Sequence, residues 1–283
     1  MSEFGERVVA GTASGALVAA LVLMIVLARR VPEQLMRTNV SVRLVPVVLG
    51  APVVVAGVVV ALVRLFFGGD VEARFGAALA IAIGVTAIGG LADDLRGSEE
   101  SSGFAGHLRA AGHGRVTGGL VKIAAGGVAG IVAGLIVADG WAAVEVALAV
   151  ALWANVVNLF DRAPGRAAKV WLLVAVPVAL WGGEAWTLGA AGMLGAVLVC
   201  LPVDLGERAM LGDAGSNPLG AVAGLGLAAS FDRPGRIAVI VVAVALNLAS
   251  ERWSFSRAIE ATPGLRALDR LGRRRDRPGN LSP

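Results

Sequence analysis

Asp93 and Asp94 stand side by side at the end of an apolar run, in IGGLADDLRG. Two adjacent carboxylates at a helix C-terminus face the negative end of the macrodipole and repel each other, so they add nothing as caps of their own helix. Binding a cation or handling a phosphate would offset that cost; the plainer alternative is a solvated flank that stops the helix. Asn155, Asn158 and Asp161, in NVVNLFD, recur every third residue and make a polar stripe at the end of another apolar run. Amides in an apolar helix either bond to a neighbouring helix or line a wet cavity, and the stripe alone allows both.

The segment 212–218, GDAGSNP, has the form of a tight loop opening a helix, with Asn217 as N-cap and Pro218 at the first helical position. Capping then leaves Asp213 spare between Gly212 and Gly215, where backbone can approach a ligand and the helix N-terminus favours phosphate. Oxygen donors of this kind suit Mg²⁺ or Mn²⁺, because Mg²⁺ takes one or two carboxylates together with substrate phosphates and water. Lys122 lies just inside an apolar run, where it either neutralises phosphate or snorkels to the interface. His107 and His113 lack metal-ligand spacing and are expected to be ordinary loop residues.

These groups must be positioned by membrane helices. The 283 residues are 57% hydrophobic and 16% charged, with a mean hydropathy of +0.77, too apolar for a soluble domain. Apolar runs over 8–28, 46–67, 75–92, 118–138, 141–160, 165–182, 186–203, 217–230 and 236–250 predict an all-α polytopic bundle of about nine transmembrane helices. The runs are apolar all round and rich in Gly and Ala, unlike the short alternating segments of a barrel. The first run lacks a cleavage site and is expected to be a retained span. The single cysteine, Cys200, excludes a disulfide framework.

Nine alternating spans divide the chain into one transmembrane domain, 1–250, and a basic tail, 251–283. They put the loops 29–45, 93–117, 161–168 and 204–216 on the same side as the tail. That side carries twenty of the 25 Lys and Arg. The positive-inside rule makes it cytoplasmic in the cell membrane, with the N-terminus outside. The pI near 10.4 is then explained by insertion and anionic lipid, Arg273 to Arg275 being a solvated stretch touching headgroups, and nucleic acid is not needed.

DD after an early span, N-x-x-N-x-x-D after a middle one and G-D-x-G-S before a late one, all on one side, resemble the polyprenyl-phosphate N-acetylhexosamine-1-phosphate transferases. The resemblance covers roughly 37–225, and Asn39 to Pro46 looks like a worn form of that family's first cytoplasmic loop. It implies an Mg²⁺ enzyme that joins an isoprenoid phosphate to a UDP-sugar. Asp93 and Asp94 would match the acidic pair beside the lipid phosphate, Asp213 and Asn158 the metal site, and Lys122 the phosphate-contacting lysine. Asn155, Asp161, Arg162, Arg166, Gly212, Gly215 and Ser216 would form the substrate side. The chain departs from the pattern at 161–166, where DRAPGR replaces D-G-x-D-G, in Val40 and Ser41 of the first loop, and in lacking the histidine motif of the last loop.

The expected reaction is attack by the lipid phosphate on the β-phosphate of a UDP-amino sugar, giving a lipid-linked sugar diphosphate and UMP for envelope glycan synthesis. Little covalent chemistry is asked of the protein, since phosphoryl transfer depends on positioning and charge neutralisation. The expected partners are polyprenyl phosphate, UDP-sugar and the membrane, with homodimerisation left open. Two other readings compete: a homologue that has lost catalysis and acts as a scaffold or regulator of envelope assembly, and a transporter with broken helices near 189–230.

Overall fold

The computed structural model describes residues 2–96, 112 and 117–274, and His107, His113 and Arg275 fall outside them. Among the described residues nine long helices follow one another: α1 (Glu3–Ala28), α2 (Gly50–Phe67), α3 (Asp70–Arg96), α4 (Gly118–Val137), α5 (Gly140–Phe160), α6 (Arg166–Trp181), α7 (Glu184–Leu205), α8 (Asp213–Ser230) and α9 (Arg233–Ser250). Two short helices follow them, α10 (Phe255–Ala261) and α11 (Pro263–Arg270). Each expected apolar run forms one long helix, and seven of the nine are long and apolar enough to cross a membrane. The other two are α6, with 16 residues, and α8, which opens on Asp213, Ser216 and Asn217. Helix α8 is buried along almost its whole length, so protein rather than lipid solvates its polar start. The chain is an all-α, multi-pass membrane protein.

Small residues let α8 sit at the centre. A Cβ on Gly220 or Gly224 would come within 2.1 Å of the Trp153 carbonyl oxygen or 2.4 Å of that of Ala149, so α8 and α5 meet backbone to backbone. The indoles close the gaps. Trp153 Nε1 donates to the Val239 carbonyl on α9 at 3.3 Å, and Trp186 Nε1 donates to that of Val222 on α8 at 3.0 Å.

The two ends of the bundle carry different electrostatics. At one, Glu72 binds Arg7 and Arg64, and the buried Glu145 binds Arg233 and Arg236. Arg74 donates to the Ile136 carbonyl. The five arginines expected on the exported side are therefore all engaged in joining helix ends. The other end brings together the C-termini of α3, α5 and α7 and the N-termini of α4, α6 and α8, where the expected chemistry lies.

The segment 29–45 is not a plain loop. Strands β1 (Met36–Thr38) and β2 (Leu44–Pro46) form an antiparallel hairpin with Arg37 opposite Val45. Asn39 Nδ2 and Ser41 Oγ donate to Glu207 at 2.8 and 2.9 Å, which pins the hairpin to the α7–α8 connection. Parts of the described segment 252–274 are likewise docked. Phe255 stacks on Phe160 with ring centroids 5.1 Å apart, Lys169 Nζ donates to the carbonyls of Leu268, Asp269 and Leu271, and the Arg274 N–H donates to the Leu205 carbonyl. Arg273, expected in solvent, donates to Asp269 at 2.6 Å.

Candidate functional site

Four helices converge on the Lys122 ammonium. It donates to Asp213 Oδ2 at 2.6 Å and to Asp93 Oδ2 at 3.4 Å. With the Asn158 amide turned to satisfy its neighbours, its Oδ1 accepts from Lys122 at 3.0 Å, while its Nδ2 donates to Asp213 Oδ1 at 2.7 Å and to Ser216 Oγ at 2.8 Å. Ser216 Oγ in turn donates to the Gly212 carbonyl. Lys122 therefore does not snorkel: α3, α4, α5 and α8 each supply one group to a partly buried cluster.

The acidic pair divides. Asp94 was expected beside Asp93 as a catalytic carboxylate, but its two oxygens accept the backbone N–H groups of Asp213 and Ala214 at 3.1 and 2.9 Å. It caps the positive end of α8, from 119 residues away in sequence. Arg37 donates to the Asp94 carbonyl, which fastens the hairpin to the same point. Of the pair, only Asp93 reaches Lys122.

That borrowed cap changes where α8 begins. The helix starts at Asp213, not at Asn217 or Pro218, and Asn217 instead bonds back to the Asp213 carbonyl from inside the helix. Gly212 makes the turn with φ at +72°, and a Cβ there would lie 2.1 Å from Val47 Cγ1 and 2.9 Å from Asp94 Oδ2. Gly90 permits the approach from the other side, since its Cβ would meet the Asp213 carbonyl oxygen at 2.2 Å. Gly215 packs against Gly50, so its smallness serves helix contact.

Other expected substrate contacts are turned elsewhere. Asn155 donates to Asn247 Oδ1 at 2.5 Å, an amide pair joining α5 to α9. Arg166 is buried and gives Nε and Nη2 to Asp269 at 2.7 and 3.0 Å and Nη1 to Ser256 at 2.8 Å. It anchors the C-terminal helices and does not face the cluster. Burial tends to raise the Asp269 carboxyl, but the hydrogen bond and charge of Arg166, with Arg273 and Lys169, hold it below its ordinary value.

Asp161 remains at the site, beside a cavity of ≈ 10 Å³ lined also by Asn39, Arg162, Pro164, Asp204 and Glu207. That is room for about one water. Burial foremost, then the charges of Asp204, Asp213 and Asp94, push Asp161 well above the usual carboxylate range, against a hydrogen bond from the Gly212 backbone. Arg162 is exposed at the rim. Asp204, missed in the sequence, is buried and accepts the Gly165 N–H at 3.0 Å. It carries the signature that singled out Asp93, a carboxylate ending an apolar run, and could have been found by it.

Among the described residues no three His, Cys, Asp or Glu side chains are grouped to hold a metal by themselves. Yet one cationic atom already lies among oxygens of Asp93, Asn158 and Asp213. Two carboxylates and an amide fit an Mg²⁺ whose shell is completed by substrate phosphates and water. No protein-family model matches the chain, and no curated protein matches it.

Proposed function

We propose that the protein transfers a sugar 1-phosphate from a UDP-sugar to a polyprenyl phosphate, with Mg²⁺ or Mn²⁺ as cofactor. The observation that carries this reading is the convergence of Asp93, Lys122, Asn158 and Asp213 from four helices at one end of a membrane bundle. The excess of Lys and Arg at that end supports a cytoplasmic face, where a nucleotide sugar is available.

Asp213, Asp93 and the Asn158 amide oxygen would hold the metal, which when bound neutralises phosphate oxygens. Lys122 supplies a second positive charge to the same phosphates. Asn158 fixes the Asp213 carboxylate, and Asp94 fixes the helix that carries it. An oxygen of the lipid phosphate attacks the β-phosphorus of the UDP-sugar. The new bond forms as that from the β-phosphorus to the bridging oxygen breaks, and UMP leaves with the bridging oxygen. The lipid phosphate attacks as its dianion, so the step needs no proton acceptor. Positioning and charge neutralisation are sufficient for such a transfer.

The test is to incubate membranes containing the protein with undecaprenyl phosphate, Mg²⁺ and a panel of UDP-sugars, and to identify lipid products by mass spectrometry. A lipid-linked sugar diphosphate from one donor is expected. No product from any donor, with intact protein in the membrane, would favour the scaffold reading.

A further inference from the structure

Beside the cluster, on the opposite flank of α3, lies an apolar furrow of ≈ 720 Å³ between the last turn of α1, the first turn of α2 and α3. One face of α3, Gly84, Ala87, Ile88 and Leu91, forms a wall running ~10 Å along the helix. Leu211 and Ala214, on either side of Asp213 in sequence, close the inner end. Polar groups are almost absent from the lining except for Arg29 and Arg30. Both are exposed, and among the described residues neither side chain has a hydrogen bond or ion pair. Arg37, by contrast, is held by the carbonyls of Gln34, Met36 and Asp94.

We propose that this furrow holds the chain of a single-chain lipid phosphomonoester, with its phosphate on Arg29 and Arg30. The inference rests on the transfer reading above, and it names where the acceptor lipid is held. Two guanidinium-bearing residues lining one furrow match a phosphomonoester, which carries about −1.5 to −2 charge near neutral pH, better than the single charge of a phosphodiester phospholipid. The apolar lining suits a hydrocarbon chain, and the volume lies in the range of ordinary ligand sites, roughly 300–1,000 Å³. The furrow's inner end, at Ala214, adjoins the helix start that carries Asp213, so Arg29 and Arg30 are a docking position from which the phosphate passes to the cluster.

The test uses the full-length protein in detergent and native mass spectrometry to follow retention of undecaprenyl phosphate, undecaprenol or phosphatidylglycerol. Gly84→Phe fills the furrow where a Cβ meets nothing within 4 Å, so the variant is expected to fold. Ala51→Phe, at an exposed lining position, is a second plug should the first melt early. Arg29→Gln with Arg30→Gln removes the charge and leaves the furrow open. Either plug and the double arginine variant are expected to weaken undecaprenyl phosphate retention at least tenfold, and undecaprenol is expected to bind the parent weakly. Retention at the parent level in the plug and arginine variants overturns the proposal, as does equal retention of phosphatidylglycerol by the parent. If the parent keeps the lipid in the furrow but releases no UMP from any UDP-sugar, the transfer reading fails and the furrow stands. If UMP is released while every variant keeps the lipid, the furrow fails and the transfer reading stands.

Discussion

Asp93→Ala and Asp94→Ala, neighbouring substitutions of the same residue type, are expected to do opposite things. Asp94 accepts two backbone N–H groups at the start of α8, at 3.1 and 2.9 Å. Hydrogen bonds to a charged group contribute ~1.5–3 kcal/mol each, and leaving a buried donor unpaired costs ~1–3 kcal/mol. Water can reach part of this helix end, so the low end of each range applies and Asp94→Ala should lose about 3 kcal/mol. Asp94→Asn keeps one acceptor oxygen and should lose about half as much. Among the described residues the ion pair that Asp93 makes is the longer one, 3.4 Å to a lysine that keeps Asp213 and Asn158, so Asp93→Ala should lose roughly 0–1 kcal/mol. At roughly 2–4 °C per kcal/mol, thermal unfolding of the detergent-solubilised proteins should give a Tm drop on the order of 10 °C for Asp94→Ala, with Asp93→Ala close to the parent. Sugar-phosphate transfer should show the reverse logic: Asp93→Ala loses it while folded, and Asp94→Asn keeps a measurable part. A stable, inactive Asp94→Ala beside an early-melting Asp93→Ala would refute this division of the pair.

Two further outcomes follow from the edges of the site. Arg166→Gln should release the C-terminal helices, read as faster protease cleavage within 251–274 at unchanged membrane insertion, and Asp269→Asn should match it. Since the Asp269 carboxyl is held below its ordinary value, the anchoring is fully present above about pH 4 and is lost as pH falls through the lowered value, so acid should reproduce the Arg166→Gln cleavage pattern in the parent. Asp161 has the opposite sign. Its folded form keeps the proton longer than the unfolded chain does, so stability falls as pH rises from about 4 through the raised value. The Tm advantage of Asp161→Asn over the parent should therefore widen with pH across that window; a constant difference would refute it.

The helices were legible because the apolar runs are long and uniform, and no competing structure satisfies a backbone in hydrocarbon. Their polar ends were less so. Helix α8 starts four residues before Asn217 because its cap is the side chain of Asp94, and local chemistry could not reveal a partner so distant. Asn155 and Arg166 were visible as polar groups in apolar surroundings, but their partners, Asn247 and Asp269, are 92 and 103 residues away. The tail looked solvated since its arginines are plain in sequence, whereas the buried carboxylate that docks it, Asp269, is one of four acidic residues among them. Asp93, Lys122, Asn158 and Asp213 come together because each ends or begins a helix at the same end of the bundle, which the alternation of spans did foretell.

The most direct measurement is UMP release from a radiolabelled UDP-sugar by membranes carrying the parent or Asp213→Asn, with undecaprenyl phosphate present and Mg²⁺ supplied or chelated. Parent membranes should release UMP only with metal and lipid phosphate together, and Asp213→Asn should reduce the rate at least a hundredfold at equal protein level. UMP release by Asp213→Asn at the parent rate, or release by the parent that ignores both lipid and metal, would contradict the account.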